Sequence, residues 1–253
     1  MDIEKKRFKL SFYVPTLLVF LLALVQALQS GLQESWYRLG IYPREISSLP
    51  GIITQVFIHE NWAHFFNNAV PLFVLSWCFY CFYRELFWKG SLLLWLSSGL
   101  FTWLIGRANW HIGASGLIYA YSFFLFFSGL IREHKPLMAI SFVVVFLYGS
   151  TFWNMFPWGE FNRDISWEGH LSGAMAGLLW ALLLRKQGPQ APPPPEEEED
   201  EEEAINSELD STAEELAEKN PDKDEVKVTG ENSSRQTAIN VFPNAPEQQQ
   251  PTA

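Results

Sequence analysis

The chain has 253 residues, 48% of them hydrophobic, a formal net charge of −10 and a mean hydropathy of +0.01. These averages join two unlike segments: residues 1–187 carry +4 and all 11 Trp, whereas residues 188–253 carry −14. That division excludes a uniformly acidic soluble protein and points to a membrane domain, 1–187, followed by an acidic tail, 188–253.

A bilayer core of about 30 Å needs about 20 mostly apolar residues per helix. In chain order the candidate spans are residues 10–29, 62–83, 91–105, 115–131, 137–154 and 170–184, the third and sixth being short. The expected fold class is therefore an all-α membrane protein built as a six-transmembrane-helix bundle. The first span is not a cleaved signal, because its apolar region is too long and no small-residue cleavage site precedes Gln29 and Ser30. Cys78 and Cys81, the only cysteines, lie in the apolar run Leu75 to Phe82 and read as small apolar helix residues. After Pro192 to Pro195 the chain runs through Glu196 to Glu203 without a neutral residue, and such a tail is expected to be disordered, since it cannot bury enough surface to offset its ordering entropy.

An even number of spans puts both termini on one side. With the amino terminus inside, ten Lys and Arg lie in cytoplasmic segments (5, 6, 7, 9, 84, 89, 132, 135, 185 and 186) and four outside (38, 44, 107 and 163), as the positive-inside rule requires. Trp36, Tyr37, Tyr42, Trp62, Trp110, Trp158 and Trp167 then form an outer interfacial belt.

In that orientation the second, fourth and sixth spans all begin at the outer side, and each begins with a polar cluster. The clusters are His64-Phe65-Phe66-Asn67-Asn68, Gly113-Ala114-Ser115-Gly116 and Gly169-His170-Leu171-Ser172-Gly173. A serine between glycines, a histidine on a second helix and a His/Asn pair on a third are the parts of acyl-transfer chemistry: nucleophile, base and oxyanion donors. Ser115, Tyr119 and Ser122 make one polar stripe, and His170, Gly173 and Gly177 share a face on which a neighbouring backbone can approach closely. Asn68 follows His64 by one helical turn and faces the same way, whereas Asn67 points elsewhere. His59 and His64 also suggest a zinc helix, but a spacing of five residues sets them about 140° apart, and no third ligand is at hand. His59 is expected instead to hydrogen-bond the preceding loop onto the second span. His111 and His134 are expected to be solvated loop residues. Glu168, with Glu160 and Asp164, precedes the sixth span, and its nearness to His170 in sequence does not place it as an orienting third member, so the sequence supports a dyad more readily than a triad. A Ser115–His170 dyad is the expected catalytic unit, with no cofactor, metal or nucleic-acid partner.

These residues resemble the rhomboid family of intramembrane serine proteases, through His64-x-x-x-Asn68, Gly113-x-Ser115-Gly116 and Gly169-His170-x-x-Gly173-x-x-x-Gly177 in the family's order. The resemblance covers roughly residues 10–186. It implies a six-helix bundle, Ser115 as nucleophile, His170 as general base, and an oxyanion hole made by the Ser115 amide with His64 and Asn68. It also implies that His170 packs on Tyr119 and that the substrates are transmembrane segments of membrane proteins cut near the outer leaflet; the expected location is a bacterial inner membrane, with both termini cytoplasmic. The sequence departs from the family in the first outer loop, where Leu49-Pro50-Gly51-Ile52 stands in place of a common Trp-Arg pair. The family also holds inactive relatives that bind membrane-protein segments without cutting them, and this is the alternative function.

Overall fold

The computed structural model describes residues 8–9, 11–148, 156 and 166–190. Residues 191–253 of the acidic tail, Glu160, Asp164, Trp158 and the expected end of the fifth span at residues 149–154 lie outside the described residues. Seven α-helices occur among those described: α1 (Tyr13–Leu32), α2 (Gly51–Thr54), α3 (Trp62–Phe82), α4 (Phe87–Ile105), α5 (Ser115–Ile131), α6 (Lys135–Tyr148) and α7 (Trp167–Leu183).

Local sequence sets the ends of these helices. Pro15 and Pro136 fall in the first turns of α1 and α6, where a missing N–H costs no intrahelical bond. The last turn of α1 closes as a Schellman motif with Gln33 in the left-handed position (φ 57°). The Gln33 N–H donates to the Ser30 carbonyl, and the Glu34 N–H to that of Gln29. Asn61 caps α3 by accepting the His64 N–H at 2.9 Å, which fixes the helix start beside His64. Pro71, inside α3, cannot donate to the Asn67 carbonyl, a defect that apolar helices tolerate when their neighbours support them.

α5 occupies the centre. It packs most extensively on α7, and also on α3, α4 and α6, and none of its residues is exposed. α1 lies on α3, and α4 on α7. Phe79, Tyr83 and Phe124 meet as rings in the core, with Leu72, Leu75, Leu94 and Leu125 fully buried around them. The outside is apolar too, with Leu17, Leu21, Leu24 and Leu28 of α1, Leu92, Leu96, Leu100 and Leu104 of α4, Phe142 and Phe146 of α6, and Leu179 and Leu183 of α7 all exposed. A surface of this kind suits an apolar solvent and would associate in water. By length and composition α1 and α3 can each cross a membrane, while α5 and residues 135–144 are shorter apolar helices.

Three helices, α4, α6 and α7, begin earlier than the hydropathy pattern predicts, and in α4 and α7 a charged residue in the first turn finds a partner. α4 starts at Phe87 and includes Lys89, whose Nζ donates to Gln187 Oε1 at 2.9 Å. α7 starts at Trp167 and includes Glu168, which faces Arg107 and complements the positive amino end of the helix.

The connector from α1 to α3 contains α2 and short 3-10 turns, and it is pinned to the end of α4 and the loop after it. Arg44 Nη1 donates to the Gly106 carbonyl at 2.9 Å, Trp103 Nε1 donates to the Glu45 carbonyl at 3.0 Å, and Ile41 pairs with His111 in an antiparallel bridge. These contacts anchor a loop that lacks the Trp-Arg pair.

Candidate active site

The loop from Gly106 to Ala114 brings the first cluster to the second. Gly113 has φ +103°, a region open to glycine and strained for other residues. Its N–H donates to the Gln55 carbonyl at 2.9 Å. The point from which a side chain at 113 would grow lies 2.7 Å from His64 Nε2 and 3.8 Å from Asn68 Nδ2. Glycine is thus required twice, by conformation and by the two side chains that occupy the space. Ser115, half-buried, follows as the first residue of α5, where its amide has no intrahelical acceptor.

His64 and Asn68 reach this point from adjacent turns of α3. The Glu60 N–H lies 3.5 Å from His64 Nδ1, which gives Nδ1 the acceptor role and leaves the proton of the neutral ring on Nε2, toward Gly113. Asn68, 3% exposed, donates one Nδ2 hydrogen to the His64 carbonyl at 2.8 Å and keeps the other. Asn67 is exposed, as its helical phase predicts.

The third cluster meets the second along α5 and α7. The His170 ring stacks on Tyr119, one turn below Ser115, with centroids 4.4 Å apart and planes 11° from parallel. The helices can approach because Gly173 has no side chain: a Cβ there would sit 2.0 Å from the Gly116 carbonyl oxygen. Gly177 continues the seam one turn on, against Ala120, and Gly116 itself faces the Gly169 carbonyl. Phe123 and Phe156 pack against Tyr119 and Ala174, closing the apolar side of the stack.

The structure corrects the reading of three loop histidines. His111 is not solvated but 2% exposed. Its Nε2 donates to the Arg107 carbonyl at 3.2 Å, so its Nδ1 accepts from Ser166 Oγ at 2.5 Å. Burial lowers its pKa, against the opposing pull of the Arg107 carbonyl and Glu168. His134 is half-buried, with Nδ1 enclosed and unbonded among the described residues. His59 precedes α3 and does not share its helix. Its carbonyl accepts from Gln29 Nε2 of α1 at 3.1 Å, so that hydrogen bond ties the loop to α1 instead of α3. Its ring packs edge-on against His64 and Phe65, 2% exposed and with neither nitrogen bonded among the described residues. Burial, with His64 alongside, lowers its pKa to about 4.

Sequence reasoning also passed over a cluster at the start of α7. Glu168 is 3% exposed, with Oε1 3.5 Å from Arg107 Nε. The charge of Glu168 beside His170 was visible in the sequence, but its partner, 61 positions away, was not. Cys78 is buried and Cys81 exposed, both as free thiols.

The rhomboid domain model matches residues 46–187, more than half of the chain. Uncharacterized proteins of Mycobacterium tuberculosis and Mycobacterium bovis are each 37% identical over 151 residues, covering 57% of this chain and 63% of theirs. One from Mycobacterium leprae is 33% identical over 178 residues, covering 67% of this chain and 70% of its own. The chain thus spans a little under two thirds of the length of the first two relatives. The match across residues 46–187 takes in His64, Asn68, Ser115, Tyr119 and His170, so the chain is a membrane protein that belongs to the rhomboid family, a family of intramembrane proteases.

Proposed function

We propose that the chain is an intramembrane serine endopeptidase in which Ser115 is the nucleophile and His170 the general base. One observation carries this reading: His64 Nε2 and Asn68 Nδ2 converge on Gly113, two residues before Ser115, while Tyr119, one turn after Ser115, holds the His170 ring. Candidate donors thus gather just before the serine in the chain and the candidate base is held just after it, which supports acyl transfer at Ser115.

The chemistry runs on these groups alone. His170 takes the Ser115 hydroxyl proton as Oγ attacks the scissile carbonyl of a substrate helix. The developing oxyanion accepts from the Ser115 amide, His64 Nε2 and Asn68 Nδ2, aided by the positive amino end of α5. His170 returns its proton to the leaving amine, an acyl-enzyme forms on Ser115, and water entering from the outer side releases it by the reverse sequence. The reading asks only for the Ser115–His170 pair, and Glu168 faces Arg107.

The reading includes the topology: six spans, both termini cytoplasmic, a membrane domain over 1–187 and a tail over 188–253, in a bacterial inner membrane. α3, α5 and α7 then begin at the outer leaflet, where water can reach a site that the bilayer core would keep dry. Transmembrane segments of other proteins are the substrates. The test is purified protein in liposomes with a model transmembrane substrate, the cut being mapped by mass spectrometry. A cut near the outer end of the substrate helix, lost in Ser115→Ala, supports the reading. Binding without a cut would favour the idle relative.

A further inference from the structure

We infer that Glu168, paired with Arg107, is a positioning residue that fixes the first turn of α7 and thereby aims the His170 ring. The inference rests on the Ser115–His170 reading.

Glu168 is an expensive residue for its place. It is 3% exposed, Oε1 lies 3.5 Å from Arg107 Nε, and Oε2 is enclosed without a hydrogen-bond partner among the described residues. A carboxylate taken out of water and only partly compensated does not stabilise a fold, and an apolar residue of similar volume would serve stability as well or better. Its use therefore lies in what it orients. Glu168 is two residues before His170, in the first turn of α7, and its own carbonyl accepts from Ser172 Oγ at 2.7 Å.

The same turn is held a second time. Ser166, whose carbonyl accepts the His170 N–H at 3.2 Å, donates its hydroxyl to His111 Nδ1, and His111 Nε2 returns to the Arg107 carbonyl. Arg107, Glu168, Ser166 and His111 thus close a ring of contacts, with Arg107 joining it through both side chain and backbone. The loop that supplies Arg107 and His111 continues through Gly113 to Ser115. One loop therefore carries the nucleophile at its end and grips the helix that carries the base, so the ring couples the position of one to the other. Small misplacements matter here, because about 1 Å of displacement can cost on the order of 10²-fold in rate.

The experiment compares wild type, Glu168→Gln, Arg107→Ala and Arg107→Lys in liposomes. It measures cleavage of a model transmembrane substrate, fluorophosphonate labelling of Ser115, and thermal unfolding. Glu168→Gln and Arg107→Ala are expected to lower kcat per folded molecule by roughly 10- to 100-fold, with KM unchanged within about twofold and labelling slowed in parallel. Arg107→Lys, which keeps the charge, is expected to recover most of the loss. A purely structural role would lower the unfolding temperature and leave kcat per folded molecule intact, and that result in either Glu168→Gln or Arg107→Ala overturns the inference. Arg107, the more exposed of the pair, carries the test should Glu168→Gln fail to fold. Wild type that neither cleaves nor labels would overturn the dyad reading and this inference with it, whereas an active wild type matched by both variants overturns this inference alone.

Discussion

Asn68 has two N–H groups and uses one on the His64 carbonyl, so the other is what it can offer a substrate. A donor aimed at developing charge acts in the transition state, so Asn68→Ala is expected to lower kcat with little change in KM. The loss should stay below the roughly 10²–10³-fold seen where one donor dominates, because the Ser115 amide and His64 remain. The His64→Ala, Asn68→Ala pair should lose more, and steady-state kinetics on both variants in one detergent would show it. His59 gives a different kind of prediction. Its folded pKa of about 4 lies below the ordinary His value of 6.5, so the unfolded chain binds the extra proton. His59 therefore costs no stability above pH 6.5 and destabilises progressively as pH falls toward 4, by up to about 3 kcal/mol. His59→Phe, which keeps an aromatic ring against Phe65, should flatten unfolding temperature against pH across that window, and an unchanged slope would mean another group titrates there. Ser115, His170, His64 and Asn68 were legible because each is a polar residue at the end of an apolar run, where burial needs a reason. The burial of His111 was not, because it depends on Ile41, Arg107 and Ser166, and no local pattern records such pairings.

The seam between α5 and α7 puts Ser115 and His170 on opposing helices, and its tightest approach is at Gly173. A Cβ at Gly173 would meet the Gly116 carbonyl, which is backbone and cannot swing aside. Gly173→Leu should therefore cost stability first, by more than the about 1–3 kcal/mol typical of overpacking, seen as a large drop in unfolding temperature. An unchanged unfolding temperature would place Gly173 away from the seam. Gly113→Ala should behave differently, since the added methyl displaces His64 Nε2 besides straining φ. It is expected to lose kcat out of proportion to its loss of stability, as parallel kinetics and unfolding would reveal. The glycine spacing on α7 was readable as a helical face. The left-handed Gly113 was not, because φ follows from the path of the whole 106–114 loop. Helix starts at Phe87 and Trp167 escaped hydropathy because Lys89 and Glu168 count as polar, although Lys89 donates to the Gln187 amide and Glu168 pairs with Arg107, both far along the chain.

At the scale of the whole membrane domain, the described residues place a central helix with no exposed residue inside a shell of exposed Leu and Phe, with His64, Asn68, Ser115 and His170 in the opening turns of α3, α5 and α7. The sequence already displayed this, because apolar runs and charge bias are summed over many residues and survive local errors. The anchoring of the α1–α3 connector through Arg44, Trp103 and the Ile41–His111 bridge depends on single long-range contacts, and so became visible only with the fold. Truncation after Gln187 is expected to leave turnover of a model substrate unchanged within a few-fold, because the proposed topology puts the tail on the side away from the site. The central claim is that Ser115 is a nucleophile activated by His170. It is tested most directly by exposing the purified, folded protein to a fluorophosphonate and locating the adduct by mass spectrometry. The account predicts one adduct, on Ser115 Oγ, abolished in Ser115→Ala and nearly abolished in His170→Ala while both variants unfold at the wild-type temperature. Labelling of His170→Ala at the wild-type rate, or no adduct on Ser115 in an intact protein, would contradict it.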